Sequence, residues 1–336
     1  MNQSDVQLFF SCDDAYIPFL AVTLESLRTN CDPKRRYCLH ILHTGVSPEN
    51  IARITDAFDG GCFSVEFRDI STTVEMFSAR LHTRDYYSRT TYYRLFIPEL
   101  FPSLERALYL DSDLVVQGDI SQLYDTELGD HLAAAIPDGF IQREESLRLY
   151  ATNRVGLDSC KSYFNAGVLL MNLRAMREYG FQRVFLSLLD AVKFNIAQDQ
   201  DYLNVICKDR TVLLGTEWNT MPFEAETPET KLIHFNLDNK PWHKDGVPYG
   251  GLFWQYADRC AYADDVRAVR RAYSESSAES PPRRRKTCWC LPASRRPTVR
   301  KTPASTARSA RSCRNEAQGD PAGGRPPRRA AENRGI

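Results

Sequence analysis

Two aspartates, Asp111 and Asp113, directly follow the apolar segment RALYL (residues 106–110) and are separated by a single serine. Side chains beyond the carboxyl end of a strand lie where open parallel sheets form their ligand sites. Two carboxylates this close repel each other unless a cation sits between them, and their hard oxygens suit Mg²⁺ or Mn²⁺. Such a cation neutralises the charge that develops on a departing diphosphate. The pair therefore indicates a divalent-metal site for a phosphate-containing leaving group.

The same pair has two other interpretations. It could end a strand in solvent or cap the next helix, because a bare Asp-x-Asp often arises by chance. It also resembles the motif of haloacid-dehalogenase-type phosphatases, in which Asp111 would be the nucleophile and Asp113 the acid. Those enzymes usually carry the motif on their first strand, whereas here about a hundred residues precede it.

Further acidic residues occur at comparable positions. Asp13 and Asp14 follow the apolar segment VQLFFS, where Rossmann-like sheets hold a nucleotide. Taken alone, helix capping is the better explanation of these two residues. Asp199 opens a predicted helix, where capping and a functional role are compatible. The chain has no GxGxxG and no GxxxxGK[ST], which argues against a dinucleotide cofactor and a P-loop.

His234 and Lys240 are candidates for the same site. His234 lies in the short segment KLIHF, and Lys240 follows six residues later, before Pro241. A neutral imidazole beside two carboxylates makes an N/O site that favours Mn²⁺ over Mg²⁺, and an ammonium can hold phosphate oxygens. The alternatives are a core histidine and a solvated lysine, which are commoner for isolated residues of these types.

A sheet is needed to bring these side chains together. Apolar strand-like segments alternate with helical patterns, and this order predicts an α/β fold with a mostly parallel central sheet flanked by helices. We predict strands at residues 6–11, 37–43, 64–70, 106–110, 132–136 and 231–235, helices at 17–28, 48–58, 91–100, 141–151, 174–194, 199–207 and 252–273, and an apolar stretch at 166–173.

The composition divides the chain at about residue 274. Residues 281–336 contain 15 Lys/Arg and 3 Asp/Glu, although the whole chain has 43 of each. We predict a folded domain at 1–273 and a basic Ser/Pro/Arg-rich tail at 274–336 that buries too little apolar surface to fold. The tail segment RRRKTCWCL has two interpretations, a membrane-surface anchor or an extension without a role.

The cellular location is predicted from what the sequence lacks. We find no pattern typical of a signal peptide, no apolar run long enough to cross a bilayer and ten scattered cysteines without paired spacing. We therefore expect a cytoplasmic protein with reduced thiols, which contacts the inner face of the membrane if the tail is an anchor. We expect no nucleic-acid partner.

Six segments occur in the order typical of glycosyltransferase family 8: FFSCDDAY, TTYYRL, ALYLDSDLVVQGDI, YFNAGVLLMNL, QDQDYLN and HFNLDNKPWH. The chain resembles this family, which includes bacterial lipopolysaccharide glucosyl- and galactosyltransferases and is related to glycogenin. The resemblance implies a Rossmann-like, GT-A type fold. It also implies retaining transfer of glucose or galactose from a UDP-sugar to a glycan, a lipid-linked saccharide of the lipopolysaccharide type or a protein. Mn²⁺ is the implied cofactor, and Mg²⁺ is the alternative.

The resemblance also assigns roles to single residues. Asp111, Asp113 and His234 match the family's metal ligands, and Lys240 matches its diphosphate-binding lysine. Asp13 matches the aspartate that seats the nucleoside. The remaining matches surround the donor sugar, with Gln200 beside the anomeric carbon and Asp199 as the candidate nucleophile of a covalent route: Arg94, Asp111, Asp138, Asn165, Asp199 and Gln200.

Two positions depart from the family pattern. Many relatives have Asn where this chain has Ala15, so one nucleoside hydrogen bond is missing or comes from elsewhere. Many also have Gly between the histidine and the lysine, where this chain has Asn236 and Leu237. Because neither position belongs to the metal triad, we predict an active enzyme. A non-catalytic nucleotide-sugar or glycan-binding protein on the same fold is the alternative.

Overall fold

The computed structural model describes residues 5–82, 89–194, 196–223 and 226–279. Residues 280–336 of the tail predicted at 274–336 therefore lie outside the described residues. Within these ranges the chain alternates strands and helices, as predicted. The strands are β1 Val6–Ser11, β2 Tyr37–His43, β3 Phe63–Asp69, β4 Arg106–Leu110, β5 Leu114–Val116, β6 Ala133–Pro137, β7 Phe164–Asn172, β8 Thr211–Leu213 and β9 Leu232–His234.

Seven strands form the central sheet in the order β3-β2-β1-β4-β7-β6-β8. All neighbouring strands are parallel except β7, which runs antiparallel to both β4 and β6. The prediction of a mostly parallel sheet is therefore confirmed. The remaining strands, β5 and β9, form a small antiparallel ribbon. Because β7 is reversed, its amino end lies at the same edge of the sheet as the carboxyl ends of β1, β4 and β6.

The helices are α1 Ile17–Asn30, α2 Pro48–Phe58, α3 Ser71–Phe77, α4 Ile97–Leu100, α5 Ser121–Tyr124, α6 Gly139–Arg143, α7 Glu145–Tyr150, α8 Leu173–Tyr179, α9 Phe181–Ala191, α10 Asp199–Ile206, α11 Gly250–Ala257 and α12 Ala263–Glu279. Helix α2 begins as the sequence suggests, with Pro48 in its first turn and the Ser47 side chain accepting a hydrogen bond from the backbone N–H of Asn50.

Several helices predicted to be continuous are divided in the structure. The helix predicted at 174–194 is two helices, because Gly180 adopts φ 74° between them, a conformation that ends helices. The helix predicted at 91–100 is a 3₁₀ segment, Arg89–Phe96, followed by α4 with Pro98 in its first turn. Those predicted at 141–151 and 252–273 also divide, and α12 continues beyond residue 273 to Glu279.

Alternating side chains of the strands build a core on each face of the sheet. Leu8, Phe10 and Leu108 pack into the core beneath α1, α11 and α12. Phe9 and Tyr109 point to the opposite core, which contains residues of α4, α8, α9 and α10. Helices thus cover both faces, as expected for a sheet of parallel strands. Among the described helices, none combines the length and apolarity that a membrane crossing requires.

Candidate active site

The Asp111–Asp113 turn is held on both sides by buried hydrogen bonds. The backbone N–H of Asp111 donates to the carbonyl of Gly167 on β7 (2.8 Å). The hydroxyl of Thr23, buried on α1, donates to the carbonyl of Leu114 (2.8 Å) and accepts from its N–H (3.1 Å). These contacts fix the direction in which the Asp111 and Asp113 side chains leave the end of β4.

The small ribbon brings His234 to the two aspartates. In the β5–β9 pairing His234 lies opposite Leu114, the residue after Asp113. Its Nε2 is 3.5 Å from Asp111 Oδ2 and 3.3 Å from Asp113 Oδ1, and one ligand atom from each of the three residues lies within 4.8 Å of the others. The predicted triad is therefore assembled, although His234 is 121 positions from its nearer carboxylate partner in the chain.

Two observations test whether a cation fits this triad. Asp113 Oδ1 is buried, and among the described residues it has no hydrogen-bond partner, which is costly for a carboxylate oxygen. Gly167 leaves the centre open, because a Cβ there would lie 2.3 Å from His234 Cε1 and 2.5 Å from Asp111 Oδ2. Two carboxylates and one imidazole are donors that divalent first-row ions accept. The residues fit a divalent cation.

Lys240 lies next to the triad, in contact with Asp113. It is buried, and its Nζ donates a hydrogen bond to Asp113 Oδ2. Burial disfavours the charged form of Asp113, but the attraction of the Lys240 ammonium acts against it, and the pKa of Asp113 lies well below its usual range. The Tyr16 hydroxyl contacts the same ammonium, and the Trp242 ring lies 5.4 Å from Nζ. The lysine is thus a buried charge and not a solvated surface residue.

Arg94 joins Asp111 to Asp199. Its Nη2 lies 2.9 Å from Asp111 Oδ1, its Nε lies 3.1 Å from Asp199 Oδ2, and its guanidinium stacks 4.2 Å from the Tyr109 ring centre. Burial raises the pKa of Asp199 to about 7, which Arg94 opposes and Asp111 reinforces. Asp199 is therefore a buried carboxyl that changes its protonation close to neutral pH.

A second cluster joins Asp138, Asn165 and Gln200. Asp138 Oδ1 accepts hydrogen bonds from the backbone N–H groups of Phe140 (2.9 Å) and Ile141 (3.1 Å) in the first turn of α6. Its Oδ2 accepts from Asn165 Nδ2 (3.2 Å) and Gln200 Nε2 (2.9 Å). Gln200 Oε1 in turn accepts from the backbone N–H of Ala166 (2.9 Å). The three predicted sugar-facing residues thus form one network at the carboxyl edge of β6.

Asp13 lies outside this hydrogen-bonded network of the described residues. It follows β1 and is exposed, and its Oδ1 accepts a hydrogen bond from the N–H of Tyr16 (3.1 Å). This contact caps the short 3₁₀ turn Asp14–Tyr16, in agreement with the capping interpretation. Tyr16 in turn faces Lys240. The neighbouring Asp14 accepts from the N–H of Ser47 (2.9 Å) and therefore ties the β1 loop to the start of α2.

The loop between His234 and Lys240 contains a leucine with an unusual backbone conformation. Leu237 adopts φ 54°, in the left-handed region that glycine enters at least cost. The loop therefore makes a turn of the kind that glycine favours, with a leucine at the left-handed position. The turn still delivers Lys240 to Asp113.

Four residues of the site escaped sequence reasoning: Tyr16, Tyr109, Gly167 and Asn219. Asn219 is buried, and its Oδ1 lies 3.0 Å from His234 Nδ1. Nothing in the segment around it indicates this contact. Gly167 carried a usable signal, because a glycine inside an apolar strand often marks close approach of another group.

The comparison with known proteins agrees with this geometry. Residues 7–246 match the profile of glycosyl transferase family 8. The match covers more than half of the chain and includes all the site residues described above. The fold and site define a glycosyltransferase, and the chain belongs to glycosyl transferase family 8.

Two individual proteins illustrate how far the similarity extends. General stress protein A of Bacillus subtilis is 26% identical over 281 residues, which cover 76% of this chain and 94% of that protein. The lipopolysaccharide 1,2-glucosyltransferase of Escherichia coli K12 is 35% identical over 176 residues, covering 47% of this chain and 50% of the relative.

The solved structure of galactosyltransferase LgtC in complex with donor and acceptor sugar analogs superposes with a TM-score of 0.66 at 27% identity, over 76% of this chain and 96% of that one. The GT-A type fold predicted from the sequence is therefore confirmed. Membership of this family also leaves the phosphatase interpretation of Asp111 and Asp113 without support.

Proposed function

We propose that the protein is a Mn²⁺-dependent retaining glycosyltransferase that transfers glucose or galactose from a UDP-sugar to a glycan. The observation that carries the proposal is the convergence of Asp111, Asp113 and His234 on one open centre, with Lys240 directly beside it. When bound there, Mn²⁺, or alternatively Mg²⁺, supplies Lewis-acid stabilisation of the leaving diphosphate.

The charges of the site suit a diphosphate. Arg94 and Lys240 offset the carboxylates of Asp111 and Asp113, and the charge of Asp199 depends on its pKa of about 7. The protein side chains alone are therefore close to neutral, so a divalent ion would make the site positive. A positive, largely buried site stabilises the charge that develops on UDP as its bond to the sugar breaks.

We assign the donor sugar to the network of Asp138, Asn165 and Gln200. Gln200 is held by the Ala166 N–H at 2.9 Å and by Asp138 Oδ2 at 2.9 Å, so its amide is fixed in position before the donor binds. Pre-organised dipoles of this kind need little rearrangement during the reaction. The nucleoside of the donor is assigned to the β1 loop with Asp13.

In the proposed reaction the bond between the anomeric carbon and the UDP oxygen breaks with oxocarbenium character. The acceptor hydroxyl then forms the new bond from the same face, and its proton passes to a β-phosphate oxygen. This direct route is favoured over a covalent one because Asp199, the candidate nucleophile, is ion-paired with Arg94 at 3.1 Å and buried. Asp199 then keeps Arg94 in place next to Asp111.

A UDP-release screen tests the proposal. The purified protein is incubated with a panel of UDP-sugars and saccharide acceptors, with Mn²⁺, with Mg²⁺ and with EDTA. We expect UDP release from a UDP-hexose that depends on the divalent ion and is lost in Asp113→Asn. UDP binding without release from any donor would instead support the non-catalytic alternative and contradict the proposal.

The acceptor is proposed to be a lipopolysaccharide-type saccharide on the cytoplasmic side of a membrane. The similarity to a lipopolysaccharide 1,2-glucosyltransferase supports this class, with another glycan or a protein as the alternative acceptor.

The basic segment RRRKTCWCL suits an anionic membrane surface, at about 1 kcal/mol per basic residue. Truncation after Glu279 keeps α12 whole and should reduce vesicle binding; unchanged binding would refute the membrane contact.

A further inference from the structure

Asn219 is a buried amide between the metal triad and the sugar-facing network. It is 3% exposed and lies just after a short 3₁₀ turn, Thr216–Trp218. Its Oδ1 is 3.0 Å from His234 Nδ1, and its Nδ2 donates to Asn165 Oδ1 at 3.0 Å. One side chain therefore touches a proposed metal ligand and a proposed sugar-binding residue.

The orientation of the Asn165 amide is set by its neighbours. The backbone N–H of Gly167 donates to Asn165 Oδ1 (2.9 Å), so this atom must be the oxygen. Asn165 Nδ2 faces two acceptors, Asp138 Oδ2 and Gln200 Oε1, both at 3.2 Å. Because a backbone N–H can only donate and a carboxylate oxygen accepts, the amide cannot be turned round without losing these bonds.

The orientation of Asn219 follows from that of Asn165. Asn165 Oδ1 needs a donor from Asn219, so Asn219 presents its NH₂ group to it and its oxygen to His234. An amide oxygen cannot donate a hydrogen bond. His234 Nδ1 must therefore carry the proton, and Nε2 is the nitrogen whose lone pair can face Asp111 and Asp113, 3.5 and 3.3 Å away.

We propose that Asn219 is a positioning residue that selects the Nδ1–H tautomer of His234, so that Nε2 is available for the divalent cation. The inference rests on the proposed function, in which these residues hold a metal, and it adds the residue that prepares the histidine. Metal-bound histidines usually donate their other N–H to an oxygen acceptor, and loss of that acceptor typically weakens metal affinity 10- to 100-fold.

The relay also links the two halves of the site. It starts at a backbone N–H of β7, passes through Asn165 and Asn219, and ends at His234 on β9. Replacement of the Asn165 amide would therefore alter the hydrogen bonding of Asn219 and, through it, of the His234 ring. The metal triad and the sugar-facing network are joined by hydrogen bonds and not only by proximity.

Mn²⁺ binding by isothermal titration calorimetry, without any sugar donor, tests the inference. Asn219→Leu keeps the branching at Cγ but removes the acceptor and the donor, and we expect its Mn²⁺ affinity to fall 10- to 100-fold. Asn219→Asp keeps the acceptor toward His234 but puts a carboxylate oxygen, in place of the donor, against Asn165 Oδ1. We expect its affinity to stay within about threefold of wild type, because a carboxylate also accepts from Nδ1–H.

Asn172→Leu is the matched control. Asn172 lies at the far end of β7 and has hydrogen bonds to the carbonyls of Gly129 and His131 (3.2 and 3.1 Å) and from the N–H of Ala175 (3.1 Å). Its replacement removes three side-chain hydrogen bonds, against two for Asn219→Leu, without touching His234. Its Mn²⁺ affinity should therefore equal that of wild type.

Two results would overturn the inference: wild-type Mn²⁺ affinity in Asn219→Leu, or an equal loss in Asn219→Asp and Asn219→Leu. If Asn219→Leu does not fold, the ¹⁵N spectrum of the His234 ring in Mg²⁺-loaded wild type and Asn219→Asp decides, since a proton on Nε2 in either would refute it. A wild type that binds Mn²⁺ but releases UDP from no donor would sink the proposed function and leave the role of Asn219 standing.

Discussion

Gly167→Ala is expected to remove the metal site by adding a single methyl group. The new Cβ would lie 2.3 Å from His234 Cε1 and 2.5 Å from Asp111 Oδ2. Carbon atoms pack at about 3.5–4.0 Å, so the imidazole must retreat by more than about 1 Å. Metal–ligand distances tolerate changes of only about 0.2 Å. The variant therefore loses at least one of three protein ligands.

The size of the effect follows from that loss. We expect the Mn²⁺ affinity of Gly167→Ala to fall at least 100-fold, or about 2.7 kcal/mol, and Mn²⁺-dependent UDP release to fall with it. The fold should survive, because overpacking one methyl group typically costs about 1–3 kcal/mol. Calorimetric Mn²⁺ titration and thermal unfolding of the same samples measure the two effects separately.

Gly251→Ala is the control for adding a methyl group at a glycine. A Cβ at Gly251 would meet nothing within 4 Å, and alanine favours the helix α11 by up to about 1 kcal/mol. Its Mn²⁺ affinity should equal that of wild type and its stability should not fall. Wild-type Mn²⁺ affinity in Gly167→Ala would refute the placement of the ion between His234 and Asp111.

Three further predictions concern buried charges. Burial raises the pKa of Asp201 to about 6, and an acid whose pKa is higher in the folded state destabilises the fold as the pH increases from about 4 to 6. Over that pH range the unfolding free energy of Asp201→Asn should therefore rise by up to about 3 kcal/mol relative to that of wild type, measured by denaturant titration. A difference in unfolding free energy that does not change with pH would contradict this. Lys240→Met should raise the KM for the UDP-sugar about 10- to 100-fold through loss of a charge-assisted hydrogen bond while Mn²⁺ still binds, and an unchanged KM would exclude contact with the diphosphate. Arg94→Gln leaves Asp111 and Asp199 without their guanidinium and should cost about 3 kcal/mol or more in unfolding free energy. That cost should shrink below the Asp199 pKa of about 7, and a cost independent of pH would count against the ion pair.

The sequence predicted the parts of this fold that depend on local pattern. Apolar strands end in acidic residues, and the parallel order of β1, β2 and β4 brings Asp111 to the expected edge of the sheet. Strand direction leaves no mark on apolar periodicity, so the reversal of β7 was not predicted. That reversal places Asn165 and Gly167 at the site.

Contacts between distant segments explain the rest. Asn219 was missed because its partners, His234 and Asn165, come from β9 and β7, and its own segment has no motif. The prediction of one long helix at 174–194 was wrong because the apolar periodicity continues on both sides of Gly180. The left-handed backbone of that single residue changes the direction of the chain. Both misses arise where the three-dimensional arrangement, and not the local pattern, determines the structure.

An anomalous difference map, recorded at the manganese absorption edge from crystals grown with Mn²⁺ and UDP, would locate the ion. We expect one strong peak at coordination distance, about 2–2.6 Å, from a carboxylate oxygen of Asp111, a carboxylate oxygen of Asp113 and Nε2 of His234, with the UDP diphosphate and Lys240 beside it. A map without a peak between these three residues, or with manganese held by other side chains, would contradict it.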